Sequence, residues 1–235
     1  VPLRPRSVET RVAFRSGLAV AVAVSLYGVS FGALAVASGL SVWQTSVLSL
    51  LMFSGGSQFA LIGVLATGGA SAGVAAIAGA ALLGLRNGLY AIRMSPIIGG
   101  PLARRLAAAH FTIDESTAVA TAQSTPAAQR AGFWYTGILL FVGWNIATLV
   151  GALIGNLLGD VRQYGLDAAA AAAFVGLLWP RLRRRQPIIV AAAAAVIAAV
   201  LTPSLPAGVP ILVAALVAVV VGATNLFGAR GGDAA

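Results

Sequence analysis

A chain of 235 residues with 59% hydrophobic and 9% charged side chains and a mean hydropathy of +0.95 is not a water-soluble domain, because a folded chain of this size keeps roughly a quarter or more of its surface in water. It has no cysteine and a single histidine, which excludes disulfides, cysteine metal sites and histidine-cluster metal sites within one chain. The net charge is +9 and all 15 basic residues are arginine; they gather beside apolar runs, as cytoplasmic loops do, which favours a membrane over nucleic acid as the partner of that charge.

About 20 apolar residues cross a bilayer as a helix. Seven stretches qualify, roughly 16–38, 43–66, 71–92, 132–158, 165–180, 187–203 and 208–228. They lack period-two alternation, so the expected fold is an all-α integral membrane bundle of about seven helices. The whole chain, 1–235, reads as one membrane domain with a basic tail at 1–15 and a C-terminal tail at 229–235. Arg4, Arg6, Arg11 and Arg15 before the first stretch, and Ala35-Val36-Ala37 near its end, mimic a signal peptide. The apolar run is long for one, so a retained helix is expected.

The second stretch is interrupted by Ser54-Gly55-Gly56-Ser57-Gln58. Glycine costs about 1 kcal/mol relative to alanine within a helix, so this helix should be broken or re-entrant. Unwound backbone at membrane depth must be buried in protein or line a cavity. Its N–H and C=O groups, with the amide of Gln58, suit the two charged ends of a zwitterion. Close packing of helices through small residues is the structural alternative.

The third stretch ends in "LLGLRNGLYAIRMSP", in which Arg86, Tyr90 and Arg93 share a helix face beside Asn87. An arginine at mid-membrane costs about 2.5–3.5 kcal/mol on insertion scales. Arg86 and Asn87 therefore either line the pathway or reach the cytoplasmic headgroups. The polar stretch 99–131 should hold one short interfacial helix. Its Asp114-Glu115-Ser116 is either a gating or proton-accepting element, with Arg86 or Arg93 as ion-pair partners, or a helix-starting acidic pair. Asn145 in the fourth stretch reads as an interhelical hydrogen-bonding residue, and Asp167 in the fifth as a helix-starting acid or a transport carboxylate.

Orientation sets up a conflict. Arg181, Arg183, Arg184 and Arg185 should be cytoplasmic, and counting back puts 93–131 there too. Three full crossings before that would leave the N-terminal arginines outside. A re-entrant 43–66 removes the conflict; a plain crossing with a broken helix agrees better with a faint repeat. Residues 31–55 resemble 150–176, with Gly32 and Gly39 matching Gly151 and Gly159, and an inverted repeat of three helices is a transporter signature.

No P-loop, dinucleotide fingerprint, H-E-x-x-H or G-x-S-x-G occurs, so ATP-driven pumping and common enzymatic chemistry are not expected, nor is any cofactor. "YGVSFGALAVASGLSVWQTSVLSLLMFSGGSQFALIGVL", "LGLRNGLYAIRMSP", "FTIDESTAVA" and "YGLDAAAAAAFVGLLWP" together resemble the AzlC-type large subunit of bacterial branched-chain amino-acid exporters, over roughly 14–227. The resemblance implies proton-driven export of leucine, isoleucine, valine and often methionine through the bacterial inner membrane, with a small AzlD-type membrane partner. Ser54, Gly55, Gly56, Ser57, Gln58 and Phe59 match the family's broken motif, Arg86 and Tyr90 its arginine motif, and Asp114, Glu115 and Ser116 its acidic loop. Gly84 and Asn87 depart from the Asn-Leu-Arg-His that many relatives carry. The candidate substrate-binding residues are thus Ser54 to Gln58, Arg86, Asn87 and Tyr90, and the candidate proton-coupling or gating residues are Asp114, Glu115 and Asp167. A passive small-solute channel and a non-transporting membrane scaffold are the alternatives.

Overall fold

Apolar runs form the helices here, and the small residues within those runs decide which helices touch. The structure is a computed structural model and describes residues 8–158, 175–176, 178–179, 182–183, 185–224 and 226. The elements among them are all helical: α1 (Val8–Ala37), α2 (Val42–Leu51), α3 (Gly55–Gly68), α4 (Gly73–Ile98), α5 (Leu102–Phe111), α6 (Asp114–Thr121), α7 (Pro126–Leu158), α8 (Arg185–Leu201) and α9 (Val209–Thr224). The expected stretch 165–180 with Asp167 falls almost wholly outside the described residues.

Burial is inverted relative to a soluble protein. Thr45, Ser49, Gln58, Ser116, Thr136 and Thr148 are fully buried, whereas Val22, Leu26, Leu89, Ile92 and Ile146 each expose more than half their surface. Such a coat of apolar side chains suits lipid, not water. Among the described residues, three stretches are long and apolar enough to cross a membrane: Val8–Ala37, Gly55–Ile98 and Pro126–Leu158. The second is not one rod. Gly69 takes φ 57 at the end of α3, a conformation that favours glycine, and α4 returns beside α3 with Ser57 facing Gly84 and Val64 packing with Ala72 and Ala76.

Helices α1 and α7 run parallel along their lengths. Gly17 lies against Thr136, Gly28 against Trp144 and Ala147, Gly32 against Thr148 and Ala152, and Gly155 against Ala33. Each helix carries a Gly-x-x-x-Gly pair, Gly28/Gly32 and Gly151/Gly155, and small residues let backbones approach closely. This corrects the reading of the faint repeat. Gly32 and Gly151 match because they lie in one parallel seam, which an inverted repeat would not place side by side.

An inverted relation exists elsewhere. Ser49 bonds Thr148 and Gly55 meets Trp144, so α2 runs opposite to α7. At one end of the bundle Arg130 reaches the Ile97 carbonyl and Met94 packs with Phe133, so α4 also opposes α7, and α3, antiparallel to α4, runs with it. Helices α2 and α3 therefore form a hairpin that turns at Met52–Ser54. Residues 99–131, expected to hold one interfacial helix, form a second hairpin. Phe111 of α5 meets Gly137, while Val119 of α6 meets Gly132; α5 rises along α7 and α6 descends. The two hairpins enter from opposite ends of the bundle, and their tips meet beside Leu140, Phe141 and Trp144, the middle of α7. The hairpin α2–α3 with α4 thus stands to the hairpin α5–α6 with α7 as an inverted pair.

Candidate functional site

The first tip is made by three non-helical residues, Met52, Phe53 and Ser54. Gly55 and Gly56, expected to be unwound, instead begin α3; their lack of side chains serves close approach. A Cβ on Gly55 would lie 3.2 Å from the Trp144 ring, and one on Gly56 would lie 2.7 Å from Arg86 Nη2. Ser54 makes no side-chain capping bond, so the first N–H groups of α3 lack the usual hydroxyl cap.

Gln58 holds this tip. Its Nε2 donates to the Met52 carbonyl (2.7 Å), and its Oε1 accepts from Trp144 Nε1 (2.8 Å). The side chain is fully buried behind the cavity wall, where it ties the hairpin to α7. Replacing it with leucine orphans two buried partners, at about 1–3 kcal/mol each. Gln58→Leu should lower the detergent unfolding temperature more than Trp144→Phe; equal shifts would show that Met52 needs no partner.

The second tip, Thr112–Ile113, is built on the same plan. Ser116 is fully buried; its Oγ accepts from Ile113 N–H and donates to the Phe111 carbonyl (2.6 Å). Phe-Thr at 111–112 thus mirrors Phe-Ser at 53–54, and Ser116 reaches back as Gln58 does. The tips touch through rings: Phe53 lies 6.0 Å from His110, 6.4 Å from Phe111 and 5.1 Å from Phe141.

Arg86 joins the tips. Its guanidinium lies over Gly56 and pairs with Asp114 at 3.0 Å. Asp114 opens α6, where the macrodipole also favours a negative group. Glu115 adjoins this pair within Coulombic reach of both partners. Tyr90 is half-buried one turn along α4.

Between the first hairpin, α4 and the end of α5 lies a cavity of about 420 Å³ lined by Met52, Ser54, Ser57, Leu61, Asn87, His110 and Thr112, among others. Of the sequence candidates, Ser54, Ser57 and Asn87 line it; Gly55, Gly56, Gln58, Arg86 and Asp114 form the surround that sets its shape. Asn87 Oδ1 is buried without a hydrogen-bond partner. Asn145 donates within its own helix, to the Phe141 carbonyl, rather than across helices. Sequence reasoning missed Trp144, although an N–H-bearing ring in an apolar run is a signal for a buried partner, and it missed His110 as a cavity residue.

A helical bundle with a lipid-type exterior, opposed hairpins and a mainly apolar cavity with a few polar groups at mid-length has the architecture of a membrane transport protein. Comparison with family models agrees: residues 19–158 match the AzlC protein family, and the chain belongs to that family. The matched region spans most of α1, both hairpins, α4 and α7. No curated protein and no solved structure matches the chain.

Proposed function

We propose that the chain is the large subunit of a secondary, proton-coupled exporter of branched-chain amino acids in the bacterial inner membrane, working with a small AzlD-type membrane subunit. It is read as a transporter and not an enzyme. The observation that carries this is the meeting of two opposed hairpin tips at a mid-length cavity. In the membrane, among the described helices, α1, α4, α7, α8 and α9 cross and α2–α3 and α5–α6 are re-entrant; the expected crossing at 165–180 lies almost wholly outside the described residues. This replaces the plain crossing for 43–66 and removes the orientation conflict for the N-terminal arginines. Arg11 and Arg15 then lie at the same end as Arg93, Arg104, Arg105 and Arg130, because Glu9 accepts a hydrogen bond from Thr125, and that end is cytoplasmic by the positive-inside rule.

The cavity divides as an apolar amino acid does. Leu61, Ile77 and Ala80 offer an apolar wall. The open first turn of α3 offers N–H groups to a carboxylate, and Asn87 Oδ1 offers an acceptor to an ammonium. One methylene changes binding by only about 1–3 kcal/mol, so Leu, Ile, Val and Met should all be accepted. Each hairpin serves as the gate on its own side of the membrane.

The test is efflux of preloaded leucine from cells producing the chain with and without its small partner, before and after a protonophore. Partner-dependent efflux abolished by the protonophore is expected. Protonophore-insensitive downhill efflux would indicate a channel, and the absence of efflux for Leu, Ile, Val and Met would remove the substrate assignment.

A further inference from the structure

Of the carboxylates first suspected of proton coupling, Asp114 and Glu115 do not line the cavity, and Asp167 lies outside the described residues. Asp114 is paired with Arg86, and Glu115 stands beside that pair; neither is among the cavity residues. Of the fourteen described residues that line the cavity, only His110 carries a titratable group. It is also the sole histidine of the chain. Histidine is the side chain type that ordinarily changes charge between roughly pH 5 and pH 8.

Its position connects it to both gates. His110 lies in the last turn of α5, two residues before the second tip's Thr112, and its ring stands 6.0 Å from Phe53 of the first tip. Phe111 and Phe141 flank it at 5.5 Å and 5.3 Å. A cation is favoured at the C-terminal end of a helix and beside aromatic rings. The charged groups on the elements around it are Arg86 and Arg93 on α4, Asp114 and Glu115 on α6, Arg130 on α7, and Arg104 and Arg105 on α5 itself, with the phenols of Tyr90 on α4 and Tyr135 on α7; α2 and α3 carry none.

We propose that His110 is the proton-binding group of the cavity, and that its protonation and the ammonium of a bound amino acid exclude each other. This rests on the transport reading above. An imidazolium and an ammonium within one cavity of about 420 Å³ repel strongly, because protein screens charge less than water does. The imidazole takes one proton from water on one side and returns it to water on the other. The cavity then holds either a proton or an amino acid, which makes the two an exchange pair and needs no contact between His110 and the substrate. Linkage makes the exclusion reciprocal.

The single histidine gives a direct readout. Purified, tag-free chain with its partner is labelled on the imidazole and followed by NMR, and leucine binding is measured by calorimetry from about pH 8 to about pH 5.5. Leucine affinity should fall at least about tenfold across that range, and saturating leucine at fixed acidic pH should move the imidazole signals toward the neutral form. His110→Gln should bind leucine with little pH dependence; the native NMR titration stands even where that variant folds poorly. Imidazole signals indifferent to saturating leucine, or an unchanged pH profile in His110→Gln, would overturn the role of His110 while leaving the exporter reading in place. Failure of the native protein to bind leucine at any pH would overturn the substrate reading, and this proposal with it.

Discussion

Gly32→Ala and Gly151→Ala should each separate α1 from α7 and lower the stability of the bundle by about 3 kcal/mol or more, at or above the usual range for overpacking. A Cβ on Gly32 would sit on the Thr148 carbonyl oxygen, and one on Gly151 on that of Val29. Both obstacles are backbone, so no rotamer change relieves them. The neighbouring positions grade the effect: a Cβ on Gly28 would lie 2.9 Å from the Trp144 carbonyl oxygen, and one on Gly155 3.0 Å from Ala33 Cα. Gly79 and Gly88 on α4 have nothing within 4 Å. Alanine there should be neutral or stabilise by up to about 1 kcal/mol, through helix propensity alone. Thermal unfolding of the detergent-solubilised protein would rank these variants. A Gly151→Ala protein as stable as Gly88→Ala would mean that the α1–α7 seam is not closely packed.

The fold was legible where a single run of sequence carried the cause. Apolar length predicted α1, α7 and the pair α8 and α9, and the Ser-Gly-Gly-Ser-Gln interruption predicted a break near residue 54. The direction of the chain after that break was not legible. A broken crossing and a hairpin use the same residues, and only the contacts of Ser49 with Thr148 and of Gly56 with Arg86 separate them. The arginine distribution favoured a hairpin there, but the apparent repeat outweighed it. Of that repeat, Gly32 and Gly151 lie in one shared parallel seam, whereas Gly39 lies outside it and Gly159 falls outside the described residues.

The second hairpin was harder to read. α5 places Arg104, Arg105 and His110 among alanines, and α6 begins with two acids, a mixture that reads as an interfacial loop. It is held among the helices by groups that sequence does not pair: Ser116 folding back on Phe111, and Asp114 reaching Arg86 from 28 positions away. Arg86 and Asp114 were each visible as costly charges in or beside an apolar run. Their direct pairing was one of several alternatives, because sequence spacing does not show that the tip of α5–α6 reaches the middle of α4.

That pair supports the second large effect. Asp114→Asn should destabilise the protein by about 2–4 kcal/mol, near the low end of what breaking a buried ion pair costs, since both side chains keep about a quarter of their surface exposed (26% and 27%). The variant leaves Arg86 charged at mid-bundle with its Nε already lacking a partner. Arg86→Gln should cost less, because Asp114 retains the N-terminus of α6 as a favourable neighbour. The double variant Arg86→Gln/Asp114→Asn should recover much of the stability lost in Asp114→Asn, with a coupling of about 1–3 kcal/mol between the sites. Exchanging the two charges should not restore the native protein, because an arginine at position 114 would oppose the positive end of α6. Unfolding temperatures of the four proteins close the cycle, and additive losses would mean that the two groups do not interact. Efflux adds a separate measure. If the pair only holds the tips together, the double variant should regain transport in step with stability. If Arg86 must part from Asp114 as the gates exchange, stability should return and transport should not.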